Sequence, residues 1–292
     1  MSDALPATEA IARRPALDTL DIADCVGEIV AVQQRAVVAV EAARDEIAAA
    51  ARAAADAMAR GANWHTIGAG SSGRIAALDA VELHPTFGLD PRRLCIHLAG
   101  GEGAFLGAIE GAEDNEGAGE RDMACVHEGD VAIALSASGR APYVRSAMRT
   151  ARARGALTIA IANDRGAPLL ADAAFPVFLE TGAEPLAGST RLVAGTAQKI
   201  ALNALSTAVM VALGTTYENM MVDVVVTNEK LRDRAERIVM RAVPCGRHRA
   251  RALLADAGAS VKLAIAMAWL GSDARGAGEA LTRSGGRLRD LR

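Results

Sequence analysis

NWHTIGAGSSGRIAALDAVEL (residues 63–83) joins a short apolar segment to a turn of glycine and serine, and then to a helical pattern. Residues 63–68 have the composition of a buried strand, and the residues from Ser71 have helical spacing. The next apolar segment, RRLCIHL from Arg92, is again typical of a strand. The three segments together predict a βαβ unit.

The same alternation continues along the chain. DVAIALS from Asp130, LTIAIAN from Leu157 and FPVFLE from Phe175 are three more apolar segments, and a helix is predicted to begin near Ala141. Five short apolar strands separated by helices predict an α/β fold with a five-stranded parallel sheet and helices on both faces. We expect an N-terminal helical segment (1–50), an α/β domain that contains the sheet (51–215) and a C-terminal helical region (216–292). Residues 24–60, which contain one glycine and no proline, predict one or two helices, and the segments after Pro244 predict three short helices in a small bundle.

Composition excludes several classes of function. The net charge is -3 and the 32 basic residues are dispersed, so no basic stripe is available for a nucleic acid. The longest apolar stretch, from Ile200, is shorter than the ~20 residues of a membrane span. The N-terminus lacks the apolar core of a secretory signal, which predicts a cytoplasmic protein. The four cysteines form no C-x-x-C pair and no histidines stand at i and i+4, so no metal site is predicted.

Two loops with paired serines follow predicted strands. GAGSSGR (68–74) begins with the pattern G-x-G-x-x-G, and SASGRAPY (136–143) follows the third strand. The end of the second strand, HLAGG (97–101), lacks the acidic residue that binds the ribose of a dinucleotide, and no G-K-[ST] is present. Hydroxyl groups and helix amides favour a phosphate monoester. From these residues alone, the serines could equally be helix caps and the glycines a tight turn.

The serine loops resemble those of the sugar isomerase (SIS) domain, a phosphosugar-binding module with a flavodoxin-like fold. The resemblance implies that residues 51–215 form a phosphosugar-binding SIS domain. A narrower resemblance lies in DAVELHPTFG (79–88), AGGEGAFLGAIEGAEDN (99–115), SASGRAPYV (136–144), GSTRLVAGTAQKIALNALST (188–207) and NMMVDVVVTNEKL (219–231). These segments look like those of the N-acetylmuramic acid 6-phosphate etherase family. The resemblance implies a carbon–oxygen lyase that cleaves the lactyl ether of that sugar phosphate, uses no cofactor and forms a homodimer.

The resemblance also implies the residues of the site. Glu82 would be the acid that protonates the departing lactate, and Glu113 would be the base that removes the hydrogen at C2. The implied binding residues are Ser71, Ser72, Gly73, Ser136, Ser138, Gly139, Arg140, Glu184 and Ser189. From the residues alone, both glutamates could be ordinary solvated carboxylates. Leu83 and His84 depart from the Cys-Pro that is usual after the acid, which leaves the 3-O substituent of the substrate open.

Two other functions fit the same loops. A phosphosugar-sensing regulatory protein would need the serines without the carboxylates, so the presence of Glu82 and Glu113 favours an enzyme. An isomerase of amino sugar phosphates also needs a base at C2. Only the family resemblance separates the isomerase from the etherase.

Overall fold

The computed structural model describes residues 6–12 and 15–291. Five parallel strands form one sheet in the order β2-β1-β3-β4-β5, which confirms the predicted α/β class and the flavodoxin-like strand order. The strands are β1 (Trp64–Gly68), β2 (Leu94–Leu98), β3 (Val131–Leu135), β4 (Leu157–Ala162) and β5 (Phe175–Phe178). In this order the direction of the connections reverses between β1 and β3, and ligands of such sheets bind outside the carboxyl ends at that point.

The central strands are apolar because both of their faces are covered. Every residue of β1 and β3 is buried. Gly68 pairs with Leu98 of β2 on one side and with Leu135 of β3 on the other, so the three strands end at the same level. The loops that follow β1 and β3 therefore begin side by side.

Helices occupy the connections between strands and both ends of the chain. They are α1 (Ile22–Val32), α2 (Gln34–Ala42), α3 (Arg44–Ala59), α4 (Gly70–Phe87), α5 (Gly103–Leu106), α6 (Glu116–Asp122), α7 (Pro142–Ala153), α8 (Pro168–Asp172), α9 (Val193–Ala212), α10 (Glu229–Ala242), α11 (Arg247–Asp256), α12 (Val261–Leu270) and α13 (Ala274–Arg283). Tyr143, Val144 and Met148 of α7 pack with Ile67 and Ala134 on one face of the sheet. Helix α3 contacts β3, β4 and β5 and is absent from that cluster.

The N-terminal region differs in detail from the sequence expectation. One or two helices were expected between residues 24 and 60, and three are present, with breaks at Gln33 and Ala43. Neither break coincides with a proline or glycine. The buried side of this segment is lined by small side chains that are almost completely buried, namely Ala36, Ala39, Ala50 and Ala54. The breaks between the helices therefore occur in a segment whose alanines pack closely against the rest of the chain.

The chain divides into two compact units, residues 1–80 with 93–206 and residues 81–92 with 207–292. Two of the boundaries fall inside α4 and α9, and the third falls in the 3-10 turn Pro91–Arg93. The three predicted domain ranges have different bounds and remain a prediction. The second unit has its own apolar core, in which Val239, Leu253 and Ile265 are buried. The three helices expected after Pro244 are present as α11, α12 and α13. A two-stranded antiparallel ribbon, β6 (Thr216–Tyr217) and β7 (Met220–Met221), precedes them.

Within residues 6–12 and 15–291, no single helix is long and apolar enough to cross a membrane. Helices α11 and α12, which are bent by 105° at their junction, are long and apolar enough only when they are taken together. Their apolar side chains Leu253, Leu254 and Ile265 are buried in the core of the second unit.

Asp79 of α4 is a buried carboxyl group that links α4 to α9. Its Oδ1 accepts hydrogen bonds from Asn203 Nδ2 at 2.5 Å and from Ser206 Oγ at 3.1 Å. Its Oδ2 has no hydrogen-bond partner in the described part of the chain. Burial raises the pKa of Asp79 from 3.8 to about 6, although the two hydrogen bonds oppose the rise.

We expect the raised pKa of Asp79 to make stability depend on pH. Between about pH 4 and pH 6 the unfolded chain has released this proton while the folded chain retains it, so the free energy of unfolding falls as the pH rises. Since a pKa shift of one unit corresponds to about 1.4 kcal/mol, the free energy of unfolding should fall by about 3 kcal/mol over this pH range. Urea unfolding at several pH values between 4 and 6 measures this fall, which should disappear in Asp79→Asn and persist in the exposed control Asp256→Asn. A free energy of unfolding that rises with pH in the wild type would contradict the raised pKa of Asp79.

Candidate functional site

The first serine loop is the beginning of α4. The helix starts at Gly70, directly after β1, and the Gly73 amide donates to the Ala69 carbonyl at 3.1 Å. The amides before Gly73 in this first turn lie at the N-terminal end of the helix, where no preceding carbonyl can accept from them. Ser72 is buried and Ser71 is partly exposed. This turn therefore combines amides and hydroxyl groups, which are the donors that suit an anion.

The glycines of this loop allow α4 to lie against the strand. A Cβ atom on Gly73 would lie 2.7 Å from the Gly68 carbonyl carbon and 2.3 Å from Leu98 Cδ1. A Cβ on Gly68 would meet the Gly73 Cα at 2.4 Å. The close packing of helix on strand explains both glycines, and a binding role for Gly73 remains a prediction from the resemblance.

Gly73→Ala is expected to destabilise the fold by about 1–3 kcal/mol, because the backbone of β1 cannot move away from an added methyl group without disturbing the sheet. Chemical denaturation measures this loss. Gly27→Ala is the matched control: Gly27 lies inside α1, and a Cβ there would meet nothing within 4 Å. That variant should gain up to about 1 kcal/mol from helix propensity. Equal effects at both positions would contradict the close-packing argument.

The second serine loop turns sharply after β3. Ser136 Oγ accepts from the Gly139 amide at 3.1 Å, and Ser138 Oγ accepts from the Arg140 amide at 3.3 Å. Gly139 has a φ of 64°, which favours glycine, and a Cβ there would lie 2.4 Å from Ala167 Cβ. The Arg140 guanidinium is 3.7 Å from the Asp164 carboxylate and remains 41% exposed. The loop thus holds two hydroxyl groups and presents one accessible cation.

Both serine loops line one cavity of about 430 Å³, a volume in the range of small-molecule sites. Of the predicted site residues, it brings together Ser71, Ser72, Ser136, Ser138, Arg140 and Glu113. The rest of the lining includes Glu9, Asp114 and Thr190. Hydroxyl groups, helix amides and one arginine suit an anion, and the carboxylates suit hydroxyl groups or the removal of a proton.

Glu113 is placed by a loop that is fixed at several points. It lies in a 3-10 turn (Ala112–Asp114) between Gly111, whose φ is 67°, and Asn115, whose side chain caps α6 by accepting from the Ala118 amide. Earlier in the same loop, the Arg74 side chain of α4 donates to the carbonyls of Ala104 and Gly107 at 3.0 and 2.8 Å. Glu113 itself is exposed. The loop structure also separates Glu113 from the helix α6, so the glutamates between 110 and 120 do not form one helical stripe.

Glu184 and Ser189 are not among the residues that line this cavity. Glu184 is completely buried, and its two carboxylate oxygens accept from the amides of Val193 and Ala194 at 2.9 Å each. These are the first amides of α9, so the carboxylate caps this helix and matches its dipole. Ser189 is partly buried next to Thr190, which does line the cavity. Binding roles for Glu184 and Ser189 remain predictions from the resemblance.

Glu82 lies on α4 in the second compact unit, where its side chain is exposed. The two neighbouring departures from the family pattern have structural explanations. Leu83 is buried, and His84 Nδ1 is 2.9 Å from the Leu89 carbonyl, which it reaches across the turn that ends the helix. His84 thus stabilises the end of α4, and the acid role of Glu82 remains a prediction.

Glu9 and Thr190 are cavity residues that sequence reasoning missed. The Gly188 amide donates to the Thr8 carbonyl at 3.1 Å, and a Cβ on Gly188 would lie 2.8 Å from Glu9 Oε2. The N-terminal segment therefore packs against the loop before α9, and this contact places Glu9 at the cavity. The Thr-Glu pair at residues 8 and 9 was the available sequence signal, but nothing local linked it to the serine loops.

A second cavity, of about 450 Å³, lies within the second unit. Its charged lining residues form ion pairs, Glu236 with Arg251 at 2.7 Å and Glu229 with Arg232 at 3.2 Å. This cavity contains neither serine loop and none of the predicted site residues.

Comparison with known proteins identifies the family. Residues 46–152 match the family described as the glucokinase regulatory protein N-terminal SIS domain, and residues 110–208 match the SIS domain. The N-acetylmuramic acid 6-phosphate etherase of Deinococcus radiodurans is 50% identical over 94% of this chain and 91% of its own length. The etherase of Halalkalibacterium halodurans is 47% identical over 80% and 79%. That of Salmonella typhimurium is 44% identical over 98% and 92%. This chain belongs to the N-acetylmuramic acid 6-phosphate etherase family.

Proposed function

We propose that this protein is a carbon–oxygen lyase that cleaves the lactyl ether of N-acetylmuramic acid 6-phosphate, as its family relatives are named for doing. The products are N-acetylglucosamine 6-phosphate and D-lactate. The observation that supports this most directly is the single cavity lined by both serine loops and by Glu113. A regulatory sensor would need only the phosphate-binding part of that cavity, and the relatives are etherases rather than isomerases.

The reaction divides into an elimination and an addition. With the sugar ring open, the hydrogen at C2 lies next to an aldehyde, and a carboxylate base can remove it. We assign this step to Glu113. The bond between C3 and the lactate oxygen then breaks, and the departing oxygen takes a proton from an acid, which we assign to Glu82. Water adds at C3 of the unsaturated aldehyde and returns a proton to C2, which completes the balance of atoms.

The serine loops hold the phosphate away from the reacting carbons in this proposal. The amides of the first turn of α4 and the hydroxyl groups of Ser71, Ser72 and Ser138 donate to the phosphate oxygens. Arg140 supplies a positive charge at the rim. Fixed dipoles and one cation suffice to bind a dianion, so the phosphate gives the substrate its position and leaves the carboxylates free to reach C2 and C3.

The first experiment measures D-lactate release from N-acetylmuramic acid 6-phosphate by the purified chain with EDTA present and no added cofactor. Release supports the etherase. Fructose 6-phosphate and its amino sugar counterpart are the comparison substrates. Interconversion of these without lactate release would favour an isomerase, and tight phosphosugar binding without any turnover would favour a sensor.

Ser138→Ala is expected to raise KM by about 10-fold with a smaller change in kcat, because a hydroxyl group that only anchors the phosphate contributes equally to the ground state and the transition state. Steady-state kinetics of lactate release measure both constants. Ser272→Ala, in the second unit, is the control and should change neither. A large loss in kcat at unchanged KM would place Ser138 in the chemical step instead.

We further propose a homodimer that forms through α1. Ile22, Val26 and Val30 recur every four residues along this helix and are 86%, 55% and 62% exposed. A second copy of the chain would remove this apolar stripe from water. Sedimentation should therefore give a dimer, and Val26→Asp should shift it to monomer. A wild-type monomer at high protein concentration would contradict the proposal.

We also propose that the protein acts in the cytoplasm, because a charged sugar phosphate does not cross a lipid bilayer unaided and must be processed where it is held. In fractionated cells the chain should follow cytosolic markers. Recovery in the membrane pellet would contradict this location.

A further inference from the structure

A cluster of metal-ligating side chains lies on the sheet away from the serine cavity. The cluster consists of His65 of β1, His97 of β2 and Cys125, which ends the 3-10 turn (Met123–Cys125) before β3. One ligand atom from each of the three lies within 4.8 Å of the other two. His65 precedes Gly68 by three residues, about 10 Å along a strand, and none of the three residues lines the serine cavity.

Strand register brings the two histidines together. His65 pairs with Cys95 and Ile67 pairs with His97, so His65 and His97 stand on the same face of neighbouring strands. The ring centroids are 5.3 Å apart and the ring planes are 9° from parallel. His65 Nδ1 lies 3.0 Å from His97 Nε2. The centroid distance is so much longer than the nitrogen–nitrogen distance that the rings must meet edge to edge, and the two nitrogens face each other in a hydrogen bond.

Asp130 fixes which nitrogen of His65 faces His97. The Asp130 carboxylate accepts from the amides of Asn63 and His127 at 2.8 and 2.9 Å. It also lies 3.2 Å from His65 Nε2. An ionised carboxylate only accepts hydrogen bonds, so the proton of neutral His65 sits on Nε2 and the lone pair of Nδ1 points to the cluster. A carboxylate behind a histidine is the arrangement that commonly supports a metal ligand.

We propose that His65 Nδ1, His97 Nε2 and Cys125 Sγ form a binding site for a borderline-soft divalent ion of the Zn²⁺ class. Imidazole nitrogen and thiolate sulfur are the ligands that Zn²⁺ prefers, and three protein ligands leave a fourth position for water. Zn–N bonds of about 2.0–2.1 Å place two nitrogens of a tetrahedron about 3.4 Å apart. To bind the ion, the two nitrogens would separate by a few tenths of an ångström and each ring would tilt, so that both lone pairs point at the ion. His97 Nε2 would also give up the proton that it shares with His65 Nδ1.

The ion would act as a clamp rather than in the lyase reaction. It would tie the turn before β3 to β1 and to the edge strand β2. The buried His65 and the exposed Cys125 mark the inner and outer ends of the site, so an ion could enter from the solvent side. Asp130 is a positioning residue in this proposal, because it acts on the ion only through His65.

The test uses the full chain after EDTA treatment and dialysis, titrated with Co²⁺ and then with Zn²⁺. We expect one Co²⁺ per chain with a thiolate-to-cobalt charge-transfer band, displacement of that band by Zn²⁺, and a higher Tm with Zn²⁺ than without it. Absence of a one-to-one complex with this band would overturn the proposal. The two histidines would then be a hydrogen-bonded pair that ends at Asp130.

Variants connect the signal to the residues. Cys125→Ser should abolish the charge-transfer band and weaken Zn²⁺ binding at least about 10-fold, and His97→Asn should weaken binding to a similar extent. Cys245→Ser, a thiol in the second unit, is the matched control and should bind as the wild type does. Circular dichroism verifies that each variant is folded. Retention of the band in Cys125→Ser, or its loss in Cys245→Ser, would refute the assignment.

Discussion

Glu113→Gln is expected to abolish exchange of the C2 hydrogen of N-acetylmuramic acid 6-phosphate with solvent, and to lower kcat for lactate release by about 10²–10⁴-fold. A glutamine at this position keeps the size of the side chain and loses the base, and general-base catalysis contributes an effect of this size. Glu113 is exposed in a cavity that also holds the serine hydroxyl groups. Removal of its charge should therefore alter the chemistry more than the stability. NMR spectra in deuterated water report the exchange directly.

Glu120→Gln is the control for this variant. Glu120 is an exposed carboxylate on α6, close to Glu113 in sequence, and it is not among the residues that line the cavity. Its replacement should leave both exchange and lactate release unchanged. The base assignment fails if Glu113→Gln exchanges the C2 hydrogen at the wild-type rate. Asp114, the other carboxylate of the same turn, would then be the next residue to replace.

Glu82→Gln should lower lactate release by a similar factor but should leave exchange of the C2 hydrogen intact. Loss of a general acid leaves the base intact, so the C2 hydrogen continues to exchange while lactate release falls by about 10²–10⁴-fold. The defect should be much smaller for a substrate whose 3-O substituent leaves without a proton, such as a nitrophenyl ether. This rescue distinguishes a lost proton donor from a damaged fold.

The pair of variants tests the division of roles. The proposed roles require exchange without release in Glu82→Gln and neither step in Glu113→Gln. Loss of exchange in both variants would mean that Glu82 also supports the deprotonation or the binding of the substrate. If a nitrophenyl ether fails to rescue Glu82→Gln, the position has another role, and the acid must be sought among the carboxylates that line the cavity.

Much of the architecture could be predicted because its signals are local. The segments that begin at Asp130 and Leu157 are continuously apolar because almost all of their residues are buried on both faces of the sheet, and a short continuous apolar segment is the pattern that predicts such a strand. The glycines at 68 and 73 mark a helix that packs closely on a strand. Because parallel strands end at one edge, the two serine loops could be expected to meet there, and they line one cavity.

The rest depended on contacts between segments that are distant in sequence. The helix breaks at Gln33 and Ala43 could not be predicted, because neither position is a proline or a glycine. Glu9 lies at the cavity because its segment contacts Gly188. Glu184, which was expected in the site, is instead buried, because its carboxylate accepts hydrogen bonds from the first amides of α9.

The sequence by itself determined the alternation of strands and helices in the sheet domain, the two serine loops and the family, since these follow from periodicity and from motifs within short segments. Only the tertiary structure decided which carboxylates share the cavity and that His65, His97 and Cys125 converge. The reason is that strand register and loop packing are fixed by the burial of many side chains at once. No single segment contains that information.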